Sequence, residues 1–143
     1  MRSQPRSRPS PEPLQQSSMR LLITGGTGVL GRALRPLAEA AGHELAMPGR
    51  EELDLFDPAA VGDAMRDVDG VLHLATRIRS LDQISYPEAW HLGDFGATLH
   101  VGDAGRALLS ALSLPSGIYN VCRDGERVSH RRFTEATGWR PRH

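Results

Sequence analysis

Apolar and polar residues follow a regular pattern along the first half of the chain. The runs 21–24 and 71–74 are short and apolar, which predicts strands, and the first run suits a strand buried on both faces. Between them, apolar positions at helical spacing predict a helix from residue 30 to 41 that ends at Gly42. A weaker strand is predicted at 44–47, directly after this helix.

The segment before the second apolar run has a helix start. Asp57 and Pro58 are residue types favoured at the N-cap and at the first helical position, and they predict a helix through about Arg66. The order is therefore strand, helix, strand, helix, strand. This order indicates an α/β fold, specifically a Rossmann-like doubly wound parallel sheet.

The second half has a thinner pattern. It predicts a short helix at 85–92 and a longer one at 103–112, whose first residue serves as N-cap. A strand is predicted at 118–121, followed by a last helix that Ser129 caps and Gly138 ends. These elements suit a small C-terminal α+β region.

Composition narrows the class of protein. The chain has 143 residues with 17 basic and 17 acidic side chains, a length that suits one domain and a zero net charge that argues against nucleic-acid binding. No apolar stretch is long enough to predict a membrane span or a secretory signal, so we expect a cytoplasmic protein. Cys122 is the single cysteine, and the histidines lack metal-ligand spacing, so no metal site is predicted. Residues 1–18, rich in proline, serine and arginine, predict a disordered tail.

All 17 basic residues are arginine, and the chain contains no lysine. A lysine Schiff base, a P-loop lysine and a lysine that lowers the pKa of a tyrosine are therefore excluded from the chemistry of this polypeptide.

A glycine-rich turn at 24–31 follows the first predicted strand and opens the first helix. Gly25 permits a tight turn, Gly28 lets the backbone approach a pyrophosphate, and Gly31 allows the helix to pack closely on the strand. The unpaired N–H groups that begin the helix, at Val29 and Leu30, favour an anion. The sequence therefore predicts a dinucleotide-binding site here.

The Gly-x-x-Gly-x-x-Gly spacing resembles the extended branch of the short-chain dehydrogenase/reductase superfamily, which contains NAD(P)-dependent epimerases, dehydratases and reductases. Asp54 and Leu55 resemble the pair that lies against the adenine in that family. The segment 72–76, which includes Leu74 and Ala75, resembles the strand that lines the cofactor. For His73 in this segment, a purely structural role in the strand is the simpler interpretation.

The resemblance continues after residue 95. The segments 100–104, 117–121 and 137–143 are similar to the His-Val-x-Asp, Tyr-Asn-Val and Gly-Trp-x-Pro-Arg phrases near the C-terminus of the family. We therefore expect an NAD(P)-binding Rossmann-like half at 19–94 and a remnant of the family's C-terminal region at 95–143. Since the family places well over a hundred residues between these parts, the resemblance implies a chain shortened in its middle and an incomplete sheet.

The resemblance also bears on catalysis, because the family uses a Tyr-x-x-x-Lys pair in which tyrosine is the general acid/base. Here Tyr86 is followed four residues later by Trp90, and Tyr119 by Arg123. Arginine is a poor substitute for lysine, and Tyr119 falls in a predicted strand. We therefore predict no catalytic residue, and the sequence leaves open whether the chain is an enzyme.

The residues after the second predicted strand bear on whether the cofactor is NAD or NADP. NAD enzymes usually place an acidic residue about 20 positions beyond the glycines to bind the ribose. This chain has Arg50 there, with Glu51 and Glu52 behind it, and an arginine can pair with a 2′-phosphate. NADP is therefore slightly favoured over NAD, although a solvated surface arginine is a close alternative.

Together these observations predict an NAD(P)-binding protein whose family transfers hydride on a sugar nucleotide or a similar hydroxy or keto compound. No particular small-molecule substrate is identified. The alternatives are a non-enzymatic NADP(H)-binding sensor or regulatory module, and a nonfunctional shortened paralogue.

Overall fold

The computed structural model describes residues 17–75, 99–124 and 128–143. These residues form three strands and four helices. In chain order they are β1 (Arg20–Thr24), α1 (Val29–Ala40), β2 (Glu44–Ala46), α2 (Pro58–Ala64), β3 (Gly70–His73), α3 (Val101–Ala111) and α4 (Arg131–Thr137). The helix predicted at 85–92, the division at 94 and 95, and residues 1–16 of the predicted tail lie outside the described residues.

The three strands form a parallel sheet in the order β2-β1-β3. Leu22 of the central strand pairs with Ala46 of β2 on one side and with Val71 of β3 on the other. The chain therefore moves from β1 to one neighbour and later crosses to the opposite side, which creates a switch point at the carboxyl ends of β1 and β3. The prediction of an incomplete Rossmann-like α/β fold is confirmed.

The core of the sheet layer comes from the apolar residues that the sequence pattern singled out. Leu21, Ile23, Leu34 and Leu72 are buried together, and Leu108 of α3 packs against them. α1 and α3 lie against each other, so the C-terminal part of the chain covers the core that the N-terminal part begins.

A second core, the C-terminal cluster, is formed by Ala107, Phe133 and Trp139. The rings of Phe133 and Trp139 meet edge to face with centroids 5.5 Å apart, a favourable aromatic geometry. Leu99, Leu114, Tyr119 and Val121 pack around it.

The ends of α1 and α2 agree with the sequence signals. Gly42 follows α1 with a φ of 82°, a left-handed conformation that suits glycine. Asp57 is the N-cap of α2, and its Oδ1 accepts a hydrogen bond of 2.9 Å from the N–H of Ala59. Pro58 occupies the first helical position, where its missing N–H costs nothing.

The predicted N-cap of α3 was wrong. The helix begins at Val101, and His100 is its N-cap, with Nδ1 accepting a 3.1 Å hydrogen bond from the N–H of Gly102. Asp103 is instead the third helical residue, and its side chain is completely buried. Sequence reasoning preferred the better N-cap residue type, whereas tertiary contacts to Asp103 set its position.

The strand predicted at 118–121 was also wrong, because the structure shows no strand there. Tyr119 and Val121 pack onto the C-terminal cluster, while Ile118 is 86% exposed and its carbonyl accepts a 3.0 Å hydrogen bond from Arg132. The alternating apolar residues Tyr119 and Val121 therefore pack against the C-terminal cluster and do not pair with another strand.

The last helix ends as expected. Gly138 terminates α4 with a φ of 74°, and its N–H donates to the carbonyl of Thr134 at 2.8 Å. The start differs by one residue, since His130 occupies the N-cap position. The hydroxyl of Ser129 nevertheless accepts a 3.2 Å hydrogen bond from the N–H of Arg131, the first helical residue.

Candidate functional site

A cleft of about 1120 Å³ opens at the carboxyl ends of the strands. It is lined by three segments: the turn 24–28 after β1, residues 48–50 and 53–56 after β2, and residues 73–75 at the end of β3. This is the edge of a parallel α/β sheet, beside a switch point, where ligands bind in such folds. This cavity is called the cleft below.

The turn after β1 requires glycine at its first position. Gly25 has a φ of 71°, and a Cβ there would lie 2.6 Å from the backbone nitrogen of Ala75. The turn therefore rests directly on the backbone that follows β3. It is closed by a 3.0 Å hydrogen bond from the N–H of Gly28 to the carbonyl of Gly25.

The turn leads directly into α1, and the first backbone N–H groups of this helix are not hydrogen-bonded to any described residue. Gly28 is the N-cap, and the first intrahelical bond is donated by Arg32 to the carbonyl of Gly28. The N–H groups of Val29 and Leu30 have no acceptor within the described part of the chain. They carry the partial positive charge of the helix N-terminus, which attracts an anion.

Gly31 acts differently from the expectation. It is buried in the first turn of α1, and a Cβ there would lie 2.5 Å from Cα and from the carbonyl oxygen of Gly26. The absence of a side chain therefore lets α1 approach the glycine turn itself, whereas the sequence predicted an approach to the strand.

Seven of the ten predicted cofactor-binding residues line the cleft. They are Gly25, Gly28, Arg50, Asp54, Leu55, Leu74 and Ala75. The other three, Val29, Leu30 and Gly31, lie in the first turn of α1 directly after the cleft-lining turn. The cleft also includes Thr24, Gly26, Thr27, Pro48, Gly49, Leu53, Phe56 and His73, which the sequence prediction did not include.

Of the three consecutive charged residues Arg50, Glu51 and Glu52, only Arg50 lines the cleft. The carboxylate of Glu52 accepts a 2.7 Å hydrogen bond from the N–H of Gly49 and lines a separate pocket together with Asp63. Glu51 lines neither. Of these three residues, the cleft therefore receives the guanidinium group and neither of the two carboxylates.

Asp54 and its neighbours form one flank of the cleft. Oδ1 of Asp54 accepts a 2.9 Å hydrogen bond from the N–H of Phe56, which fixes the side chain in a local turn. Leu55 and Phe56 are both exposed apolar residues, and Phe56 is 73% exposed. This flank combines a carboxylate with apolar surface.

A polar pair joins the two strands at the switch point. Oγ1 of Thr24, at the end of β1, and Nδ1 of His73, at the end of β3, lie 2.6 Å apart and form a hydrogen bond. The interpretation of His73 as a residue satisfied within the sheet holds in part, although its partner is a hydroxyl rather than the backbone. The sequence contained a signal for this contact, because Thr24 and His73 each lie at the end of a predicted strand and the two strands are parallel neighbours.

Tyr119, the tyrosine within the described residues, does not line the cleft. Tyr119 lies against the C-terminal cluster, where its hydroxyl donates to the carbonyl of Pro115 at 3.3 Å and Arg132 lies 4.7 Å above its ring. Tyr86 lies outside the described residues. Within the described ranges, no group of three or more His, Cys, Asp or Glu side chains is placed to hold a metal ion.

The parallel sheet, the glycine turn and the cleft at the switch point together define a nucleotide-binding α/β protein of the Rossmann type. Residues 21–110 match the NAD dependent epimerase/dehydratase family. The chain belongs to this family, and the relationship predicted from its motifs is confirmed. Within the described ranges, no helix has the length and apolar character needed to cross a membrane.

A curated relative gives a narrower comparison. Over 48 residues the chain is 44% identical to a dTDP-4-dehydrorhamnose reductase of Streptomyces griseus. The match covers 34% of this chain and 16% of the relative. The similarity therefore concerns only a small part of that reductase.

Proposed function

We propose that the chain binds NADP(H) in the cleft, with the pyrophosphate against the glycine turn. The observation that carries this proposal is the pair of unpaired N–H groups of Val29 and Leu30 beside the glycine turn. Backbone donors at a helix N-terminus, with no Cβ at Gly28 to block them, form the usual dinucleotide pyrophosphate site.

The proposal places the rest of the cofactor against the flanks of the cleft. Asp54 and Leu55 would receive the adenine, since they combine a carboxylate oxygen with apolar surface. Leu74 and Ala75 lie after β3, on the opposite side of the turn, and would line the nicotinamide half. Arg50 would pair with the 2′-phosphate, which supports NADP over NAD.

We further propose that this chain binds the cofactor without the catalytic pair of its family. It contains no lysine, and Tyr119 packs in the C-terminal cluster away from the cleft-lining residues. A sensor or regulatory role in NADP(H) binding fits these observations better than the reductase activity of the Streptomyces griseus relative. A cytoplasmic location and a lack of affinity for nucleic acid stay predictions from composition.

Titration with NADPH, followed by the fluorescence of the reduced nicotinamide, tests the binding proposal. Gly28→Asp is the matched variant, because Gly28 has φ and ψ of −73° and 175°, and a Cβ there meets only the carbonyl of Gly25 at 3.2 Å. Aspartate is also a favourable N-cap. We expect the variant to stay folded and to lose binding, since its carboxylate repels the pyrophosphate. Absence of saturable binding by the unmodified chain, or equal binding by Gly28→Asp, contradicts the proposal.

Arg50→Ala tests the choice of cofactor. We expect the affinity for NADPH to fall by roughly tenfold and the affinity for NADH to stay unchanged, because only NADPH carries the 2′-phosphate. Arg66→Ala is the control, since Arg66 is exposed and paired with Asp63 outside the cleft. Equal losses for NADPH and NADH would assign Arg50 a role unrelated to the 2′-phosphate.

A turnover assay tests the absence of catalysis. Purified chain is incubated with NADPH and a panel of keto compounds, including sugar nucleotides, and oxidation of the cofactor is followed by absorbance. We expect rates no higher than those of Gly28→Asp. Turnover that exceeds this control shows that residues other than the tyrosine–lysine pair catalyse hydride transfer.

A further inference from the structure

A smaller concave site of about 270 Å³ lies between α3 and the segment that follows α4. Three arginines line it: Arg106 on α3, and Arg140 and Arg142 on the C-terminal segment. Ser110 and Trp139 contribute to the wall. We call this site the arginine pocket, and it shares no lining residue with the cleft.

The charge of the arginine pocket is only partly compensated. Arg106 forms an ion pair with Asp103, whose carboxylate is completely buried. The same carboxylate accepts the backbone N–H groups of Arg142 and His143 at 3.1 and 3.2 Å. The side chains of Arg140 and Arg142 form no hydrogen bond or ion pair with any residue that the structure describes. Two guanidinium groups are therefore available to a ligand.

A second carboxylate, that of Asp124, interacts electrostatically with Arg140. Its carboxyl accepts hydrogen bonds from the hydroxyl of Ser129 at 2.8 Å and from the N–H of His130 at 3.0 Å. These bonds, together with the charges of His130 and Arg140, outweigh the effect of burial and hold the pKa of Asp124 below its usual range. Both bonds are accepted by Oδ1 of Asp124, and among the described residues Asp124 forms no ion pair with Arg140.

The backbone that carries the two arginines is fixed before any ligand arrives. The indole N–H of Trp139 donates to the carbonyl of Asp103 at 3.2 Å, and the carbonyl of Trp139 accepts from the hydroxyl of Thr134 at 2.7 Å. The N–H of Arg142, the residue directly before His143, donates to the carboxylate of Asp103 at 3.1 Å. The segment is thus anchored on both sides of Arg140, so a ligand does not bear the full entropic cost of ordering it.

We propose that the arginine pocket binds a phosphoryl dianion, carried either by free phosphate or by a phosphate monoester. Guanidinium groups match the oxygens of a phosphoryl group through paired hydrogen bonds. The two available guanidinium groups, Arg140 and Arg142, balance the two charges of the ligand. The pocket is far smaller than the cleft, which fits a single phosphoryl group and excludes a whole dinucleotide.

The test uses the full chain with Trp90→Phe, so that Trp139, in the wall of the arginine pocket, is the single indole reporter. Inorganic phosphate and phenyl phosphate are titrated separately at constant ionic strength, with chloride as the reference anion. We expect a saturable change in Trp139 fluorescence. Tighter binding of inorganic phosphate assigns the pocket to the free anion, and tighter binding of phenyl phosphate assigns it to a monoester.

Three variants decide the location of the site. Arg140→Gln with Arg142→Gln removes both available charges and should weaken binding at least tenfold. The double lysine variant keeps the charges but loses the paired hydrogen bonds, so it should weaken binding less than the double glutamine variant does. Gly28→Asp blocks the other anion site of the chain and should leave the response unchanged. Circular dichroism confirms that each variant is folded. A response that is absent, that survives the double glutamine change, or that disappears in Gly28→Asp overturns the proposal.

Discussion

Two glycines within helices, Gly31 and Gly62, have opposite surroundings. A Cβ at Gly31 would lie 2.5 Å from the backbone of Gly26, whereas a Cβ at Gly62 would meet nothing within 4 Å. Alanine is intrinsically favoured over glycine in a helix by about 1 kcal/mol. The two positions therefore separate helix propensity from close packing.

We predict that Gly31→Ala lowers the free energy of unfolding by about 1–3 kcal/mol, because the backbone of the turn must move. NADPH affinity should fall with it, since the same turn holds the pyrophosphate. Gly62→Ala should raise the free energy of unfolding by up to about 1 kcal/mol and leave binding unchanged. Urea denaturation and NADPH titration measure both effects, and a stabilised Gly31→Ala variant contradicts the described turn.

Asp103 shows how a buried carboxylate can stay charged. Burial opposes its ionisation, but hydrogen bonds from the backbone N–H groups of Arg142 and His143 and from Arg106 outweigh burial and hold the pKa of Asp103 well below its usual range. A pKa that is lower in the folded than in the unfolded state stabilises the fold above the unfolded value, which is about 3.9. This stabilisation is lost as the pH falls further through the folded value.

We therefore predict that Asp103→Asn lowers the melting temperature by roughly 5 °C or more at pH 7, since a neutral amide binds Arg106 and the two N–H groups less strongly. The difference from the unmodified chain should shrink steadily as the pH is lowered from about 4 toward 2. Thermal melts across this range, followed by circular dichroism, test it. A difference in melting temperature that does not depend on pH would show that Asp103 acts through its shape and not through its charge.

At the scale of single elements, α2 is the helix whose start the sequence specified most directly. Asp57 caps it through Ala59, and no residue of α2 is buried. We predict that Asp57→Ala lowers the free energy of unfolding by about 1 kcal/mol and that Asp57→Ser restores most of it. The measurement is urea denaturation, with Asp67→Ala as an exposed control. Equal effects of alanine and serine would exclude the capping bond as the cause.

The elements that sequence predicted correctly are those with local causes. β1 follows from an apolar run stopped by glycine, and α1 from helical spacing ended by Gly42, so each is specified by its own residues. The segment 118–121 and the start of α3 were missed because contacts distant in sequence decide them. The ring of Tyr119 packs edge to face against Phe133, and the carboxylate of Asp103 accepts a hydrogen bond from the backbone N–H of Arg142.

The candidate site divides in the same way. The glycine turn could be predicted because the spacing of Gly25, Gly28 and Gly31 is enough to indicate where the backbone needs glycine. The bond between Thr24 and His73 joins residues 49 positions apart, and only the pairing of β1 with β3 brings them together. Likewise, the turn after β2, which directs Glu52 away and leaves Arg50 on the cleft, follows from a hydrogen bond to Gly49 that no periodic pattern encodes.

At the scale of the whole molecule, the contact between α1 and α3 joins the part that carries the cleft to the part that carries the C-terminal cluster. Gly105 lies at this contact, where a Cβ would be 3.0 Å from Cδ1 of Leu37 and 3.6 Å from Cα of Leu34. A methyl group needs only a small shift of the leucine tip, whereas a branched side chain meets the backbone of α1. The two parts should therefore respond together to a change at this position.

We predict that Gly105→Ala leaves the free energy of unfolding nearly unchanged, while Gly105→Val lowers it by about 1–3 kcal/mol and weakens NADPH binding at a distance. Ala111→Val, at an exposed position of α3, controls for the lower helix propensity of valine. With Trp90→Phe in every variant, urea denaturation followed by Trp139 fluorescence and by far-ultraviolet circular dichroism should give coincident transitions. If Gly105→Val shifts only one of these transitions, the cleft and the C-terminal cluster unfold independently, and α1 and α3 do not couple them.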